Sequence, residues 1–243
     1  MRIIRIFQDG DYALSDRVLL SARAAHHVAV VLRMKPGEKL VLFSGNDQEF
    51  DAEIVELSSK KVWVQILTAK KISRESSQNI HLVQALSKQD SFEWLLQKSV
   101  ELGVNSITPV IADHSVVRWE GPRLEKKMQQ WQGIIIGACE QCGRNVVPVL
   151  HAPRTLSAYI ADPMRSAVFY ALIPQVAFTW KTYIADVAEN KVLFVGPEGG
   201  WSAAEIKAFE CFGAKPLSLG PRILRTETAA LVGISLFQAL FED

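Results

Sequence analysis

Two stretches late in the chain combine residue types that can bind and react. Val192-Leu-Phe-Val-Gly-Pro-Glu-Gly-Gly-Trp-Ser202 joins an apolar run to a glycine-rich loop and then to a helix start. Ligands of open α/β sheets bind at such carboxyl ends of strands, and Gly196, Gly199 and Gly200 let a ligand approach the backbone with no Cβ in the way. The same glycines would also suit a plain tight turn. The loop lacks both the Gly-x-Gly-x-x-Gly pattern of dinucleotide sites and the Gly-Lys-Ser/Thr ending of nucleoside-triphosphate loops, which counts against a Rossmann-type oxidoreductase or a kinase. Glu198 puts a negative charge where a phosphate would sit, so a cationic or hydroxyl-rich ligand fits better. The second stretch, Leu217-Ser-Leu-Gly-Pro-Arg-Ile-Leu-Arg-Thr-Glu-Thr-Ala-Ala230, places Arg222 and Arg225 in a strand-end loop. Such guanidinium groups can hold a phosphate or carboxylate, or serve as surface ion pairs.

Strands and helices must position these loops. Apolar runs at Ile80–Leu86, Ile107–Val110, Val168–Leu172 and Val192–Val195 alternate with helical patterns, which predicts a parallel sheet buried on both faces. Asp90 with Glu93 and the stop at Gly103 predict one helix; Ser202 with Glu205 and the stop at Gly213 predict another. Thr226 or Glu227 opens the last helix, whose apolar stretch Ala229–Phe241 is shorter than the roughly 20 residues that span a bilayer.

The first 72 residues read differently. Ile3–Phe7, Lys39–Phe43, Glu49–Ile54 and Val62–Leu67 are short β-rich runs punctuated by Pro36-Gly37 and Ser44-Gly45-Asn46-Asp47. With one helix, from Ser21 to about Arg33, they predict a small β-barrel or half-barrel. The polar segment Ala69–Asn79 predicts a linker, with a boundary near residue 72. Net charge is +1 overall, but residues 1–72 carry +2 and residues 156–243 carry −2. The basic excess therefore sits in the β-rich part.

Length and composition point to a globular protein: 243 residues, 49% hydrophobic and 22% charged, enough to build a core without disulfides. An odd number of cysteines, three, suits reduced thiols and a cytoplasmic location. Cys139-Glu-Gln-Cys142 lacks matched partners for zinc and the context of a redox pair, so it reads as helix core. No metal is expected.

Gly196–Gly200 followed by Leu219–Ala229 resembles the cofactor-binding signature of the α/β-knot (SPOUT) methyltransferases, and within them the bacterial small-subunit ribosomal RNA uridine N3-methyltransferase family. Arg2 with Arg5-Ile-Phe7, His27 to Gly37, Gln97 to Gly103 and Ala138 to Arg144 extend the likeness along nearly the whole chain. The resemblance implies an α/β protein with a PUA-like RNA-binding domain (residues 1–72) and a methyltransferase domain (residues 73–243) whose parallel sheet is threaded through a trefoil knot. It implies S-adenosylmethionine held by Leu172 and Pro174 on one loop, Gly196, Pro197, Glu198, Gly199 and Gly200 on the next, and Leu219, Gly220, Ile223 and Leu224 on a third. Ile173 departs from relatives that carry a polar residue there.

The implied acceptor is N3 of a uridine in 16S ribosomal RNA, alone or in the 30S subunit, and the implied assembly is a homodimer. A neutral imide N–H must lose its proton as the methyl arrives; Arg225 is the candidate for orienting the base or stabilising its charge, with Thr226 and Glu227 as candidate proton acceptors. Arg2, Arg5, Arg33, Lys35, Lys60, Lys61 and Arg222 are the expected RNA contacts, acting through phosphates. A sister enzyme acting on a ribose 2′-OH or on transfer RNA, and a non-catalytic RNA-binding assembly protein, are the alternatives.

Overall fold

The structure is a computed structural model that describes residues 3–58, 61–117, 119–163, 166–174, 176–183 and 189–241. The chain divides into two compact units: Met1–Glu75 with Ile136–Val147, and Ser76–Ile135 with Pro148–Asp243.

In the first unit, β1 (Arg5–Phe7), β2 (Arg17–Leu19), β3 (Lys39–Phe43), β4 (Gln48–Leu57) and β5 (Val62–Lys71) form a sheet ordered β1-β3-β4-β5-β2. All pairs are antiparallel except β1 with β3. Among the described residues β1 and β2 do not pair with each other, so the sheet is not hydrogen-bonded into a closed barrel. Alternating residues such as Phe50, Ala52 and Ile54 point into a core shared with Ile6, Val28, Leu42 and Val64, the period-2 burial of a half-covered sheet. Ser21 caps α1 (Ala22–His26) by accepting from the Ala24 N–H, and the chain continues as one wide π turn over His27–Val31. The expected helix to Arg33 therefore ends early, and Arg33 itself turns the chain with φ +55°.

The predicted linker begins too soon. Lys70 and Lys71 pair with Glu49 and Gln48, because ladder hydrogen bonds and alternating charge hold polar residues in strand as well as apolar ones do.

The second unit carries β6 (Asn79–Ala85), α2 (Gln89–Glu101), β7 (Ser106–Ile111), α3 (Gly121–Cys142, whose last turns count with the first unit), β8 (Val149–Leu150), β9 (Arg154–Thr155), α4 (Leu156–Ala161), β10 (Val168–Leu172), β11 (Asn190–Val195), α5 (Ala203–Phe212), β12 (Lys215–Leu217) and α6 (Thr226–Phe241). The sheet order is β12-β10-β11-β6-β7-β8, with β9 also on β7, and every pair is parallel. Both faces are covered, as continuous apolar strands require. Val192 and Phe194 pack with Tyr159 of α4 and Phe209 of α5, whereas Leu193 between them meets Gly233 of α6.

Helix ends follow local chemistry. Ser202 and Glu205 form the full capping box of α5, and Gly213 closes it with φ +83°. At α2 the structure differs from the expectation: Lys88 occupies the N-cap without a side-chain bond, and Asp90 lies inside the first turn, where its charge favours the helix dipole.

Candidate active site

Because β10, β11 and β12 run parallel with β11 flanked by β6, their carboxyl-end loops open at the same end of the sheet. They line one cavity of about 680 Å³. Leu172, Ile173 and Pro174 supply the wall after β10; Gly196, Pro197, Glu198, Gly199 and Gly200 the wall after β11; Leu219, Gly220, Arg222, Ile223 and Leu224 the wall after β12; and Arg225, Thr226 and Glu227 the start of α6. Residues from two separate sequence stretches and one preceding loop thus share a single cavity.

Four hydrogen bonds fix the loops. The Trp201 indole N–H donates to the Leu172 carbonyl at 3.1 Å, tying the second loop to the end of β10. The Ile173 N–H donates to the Leu217 carbonyl at 3.1 Å, tying the first to the third. The Thr226 hydroxyl, 4% exposed, donates to the Gly196 carbonyl at 2.5 Å and accepts from Gln84 Nε2 at 2.9 Å. Thr226 thus joins the start of α6, the second loop and β6. Neither Trp201 nor Gln84 stands out in the sequence as part of the site, since an aromatic and an amide are single-residue signals with no spacing to mark them.

Glycine is required at two positions. A Cβ on Gly199 would lie 2.9 Å from His114 Cβ, whose ring Nδ1 is 3.1 Å from the Gly199 and Gly200 carbonyls. Gly220 turns the third loop with φ +108°, a conformation that L side chains rarely adopt.

The chemistry of the walls is mixed. Leu172, Leu219, Leu224 and the 78%-exposed Ile223 are apolar, Glu198 and Glu227 are acidic, and Lys88, Arg222 and Arg225 are cationic. Lys88 and Ser91 come from the start of α2, an element that no sequence signal ties to the site. Among the described residues, the Lys88, Arg222 and Arg225 side chains make no ion pair. Glu198 accepts from the Lys88 backbone N–H at 3.3 Å. An apolar slot with exposed backbone and a carboxylate at one side fits a nucleoside bearing a cationic substituent.

The basic residues of the first unit divide. Arg5 is not a free phosphate contact: its guanidinium donates to Glu49 at 2.9 Å and to the Asn145 side chain, and stacks 5.1 Å from the Phe43 ring centre. With a side chain only 10% exposed, it is already neutralised. Arg33, Lys35 and Lys61 are exposed and make no ion pair among the described residues. Arg2 and Lys60 lie outside the described residues.

Cys139 is fully buried in α3, and burial pushes its thiol up to about 12, away from the thiolate that metal binding or redox exchange needs. No group of three or more histidine, cysteine or acidic residues that could hold a metal occurs among the described residues. Among them, too, no helix is long and apolar enough to cross a membrane.

Known proteins match along the whole chain. Residues 74–238 match the model of an RNA methyltransferase domain and residues 20–67 that of an RNA methyltransferase PUA domain. The ribosomal RNA small subunit methyltransferase E of Buchnera aphidicola from Schizaphis graminum is 35% identical, covering 100% of this chain and 98% of its own. The Bacillus subtilis protein of the same name is 30% identical over 89% and 87%. A Legionella pneumophila methyltransferase solved with the cofactor SAM superposes with a TM-score of 0.96 at 44% identity, covering 100% of both chains. The ribosomal RNA small subunit methyltransferase E of Neisseria gonorrhoeae, bound to S-adenosyl methionine, gives 0.91 at 32% identity over 99% and 98%.

Proposed function

Since the chain belongs to the RNA methyltransferase family and is an S-adenosylmethionine-dependent ribosomal RNA methyltransferase, we propose that its acceptor is N3 of a uridine in 16S ribosomal RNA. The observation that carries this reading is the convergence of three strand-end loops on one cavity with Arg225 and Glu227 in its wall. The residues present fit the cofactor: apolar side chains suit the adenine, loop backbone its polar edge, and Glu198 a ribose hydroxyl or the amino group. When bound, the cofactor supplies an electrophilic methyl on a sulfonium centre.

What the chain's own residues do follows from their placement. The Leu172 and Gly196 carbonyls are already held by Trp201 and Thr226, so the loops are set before a ligand arrives and little ordering cost remains. Arg225 has no counter-charge among the described residues and is placed to orient the uracil and stabilise negative charge as its N3 proton departs. Glu227, half-buried in the same wall, is the proton acceptor in this reading. Thr226 spends its hydroxyl on Gly196 and Gln84, so it acts as a positioning residue rather than a base.

The β-rich unit is the RNA-binding part, with Arg33, Lys35 and Lys61 as its phosphate contacts, while Arg222 contacts RNA at the cavity mouth. A cytoplasmic homodimer acting on the 30S subunit completes the reading, as does a knotted path of the chain through the second unit. The test is transfer of labelled methyl from S-adenosylmethionine to naked 16S ribosomal RNA and to assembled 30S particles, with the product nucleotide mapped. Label at a uridine N3 is expected. Label on a ribose oxygen would assign the protein to a sister specificity, and cofactor binding without transfer would assign it a non-catalytic role.

A further inference from the structure

The second unit holds another cavity, of about 400 Å³, walled by His81, Thr108, His151, Arg154, Tyr159 and Asp162. His81 is the third residue of β6, so this cavity lies toward the amino end of the strand whose carboxyl end leads to the methyl-transfer site. The inner wall is fixed and neutral. His81 is 2% exposed; its Nδ1 is 2.6 Å from Ser106 Oγ and its Nε2 3.1 Å from Thr108 Oγ1. Burial first, then the nearby His151 and Arg154, pushes its pKa down to about 3.

The outer wall is cationic and uncommitted. The Arg154 guanidinium lies 4.4 Å from the centre of the Tyr159 ring. That ring is itself held by stacking on His81 at 5.8 Å and by an edge contact with Phe194 at 5.4 Å. Within the described residues the Arg154 N–H groups make neither hydrogen bond nor ion pair. A planar fork of donors, oriented by an aromatic face and left unspent, matches an oxyanion. The exposed His151 ring stands 5.6 Å from His81, and burial together with the Arg154 charge holds its pKa below the ordinary histidine value.

We propose that this cavity is a phosphate-binding site separate from the methyl-transfer cavity, with Arg154 as the fixed charge and His151 as a group that gains a proton when the anion enters. The charged and titratable groups around His151 are His81 on β6, Arg154 on β9, Tyr159 on α4 and Asp162 just beyond it. Asp162, the one carboxylate of the wall among the described residues, makes no ion pair with Arg154 there and opposes an anion. An entering anion offsets the Arg154 charge and so raises the His151 pKa; linkage then requires binding to tighten as pH falls.

The experiment is calorimetric titration of the full chain with sulfate, whose charge is constant from about pH 5 to about pH 8, then with inorganic phosphate and with the dinucleotide UpU, a pure phosphodiester. Sulfate binding should weaken as pH rises, by up to about tenfold per pH unit. Arg154→Gln should weaken it roughly 10- to 100-fold, His151→Gln should flatten the pH dependence, and Asp162→Asn should tighten binding. Competition by UpU would name an RNA backbone phosphate as the occupant; competition by inorganic phosphate alone would name a free phosphate or phosphomonoester. Sulfate binding that survives Arg154→Gln undiminished would place the ion elsewhere and overturn the proposal. An NMR titration of His151 in the unsubstituted protein needs no variant: its pKa must rise when sulfate is added, and an unchanged value overturns the proposal equally.

Discussion

Arg225 and Thr226 are adjacent, yet the structure gives them different work. Thr226 is sealed between Gly196 and Gln84, while Arg225 faces the cavity without a counter-charge among the described residues. Arg225→Ala should therefore reduce methyl transfer by about two orders of magnitude or more and leave S-adenosylmethionine affinity nearly unchanged; single-turnover assays beside equilibrium binding separate the two effects. Gly199→Ala should do the reverse. Its Cβ meets the His114 side chain at 2.9 Å, so the second loop must shift and cofactor affinity should fall several-fold with the fold intact, as a thermal melt and a cofactor titration would show. The glycines and arginines of the site were legible in the sequence because residue type alone limits their use. Lys88, Trp201 and Gln84 were not, because their part depends on which strand end or loop they meet in space.

At the level of elements, the parallel strands and the α5 capping box were readable, since continuous apolar runs and a four-residue capping pattern are local. The three-residue β2 was too short to leave a period, and the carboxyl end of β5 was disguised by lysines. A network that no local pattern reveals lies in the first unit, where Glu49 on β4 accepts from Arg5 of β1, Arg74 and Asn145, each within 3.2 Å. Burial alone pushes the Glu49 carboxyl up, but the hydrogen bonds from Arg74, Arg5 and Asn145 together outweigh it and hold the pKa below the usual carboxylate value. A depressed carboxylate contributes stability that is complete above its unfolded pKa and is lost as pH falls through the folded value. Glu49→Gln should accordingly cost about 1–3 kcal/mol near neutral pH. Urea unfolding of both proteins at about pH 7 and about pH 3 should show that difference shrinking in acid.

For the whole molecule, near-zero net charge conceals an uneven distribution, with the basic excess in the first 72 residues and the acidic excess at the end. Arg33 and Lys35 are exposed on either side of buried Met34, and replacing both with alanine should weaken RNA binding uniformly across sequences. The slope of log affinity against log salt should then fall by roughly 1 to 2, measured by filter binding over a salt series, while cofactor binding stays constant. A cut just past the sequence-derived boundary, after residue 75, should fail as a domain preparation. Residues 1–75 alone would lack Asn145, which bonds Glu49 and the Ile72 carbonyl, and Arg144, which pairs with Glu75. Circular dichroism of that fragment should show a loosely ordered chain, whereas joining residues 136–147 to it through a flexible linker should recover the native sheet.

That division of the first unit between two chain segments also bears on synthesis. Domains generally fold in the order in which they emerge from the ribosome, but here the β-rich unit cannot close its ion network until Asn145 has been made. Its strands must wait through the synthesis of β6, α2, β7 and α3, with Glu49 short of the Asn145 hydrogen bond and Glu75 without the Arg144 counter-charge. The part of the protein translated first thus cannot finish folding until the Ser76–Ile135 portion of the second unit has also been made.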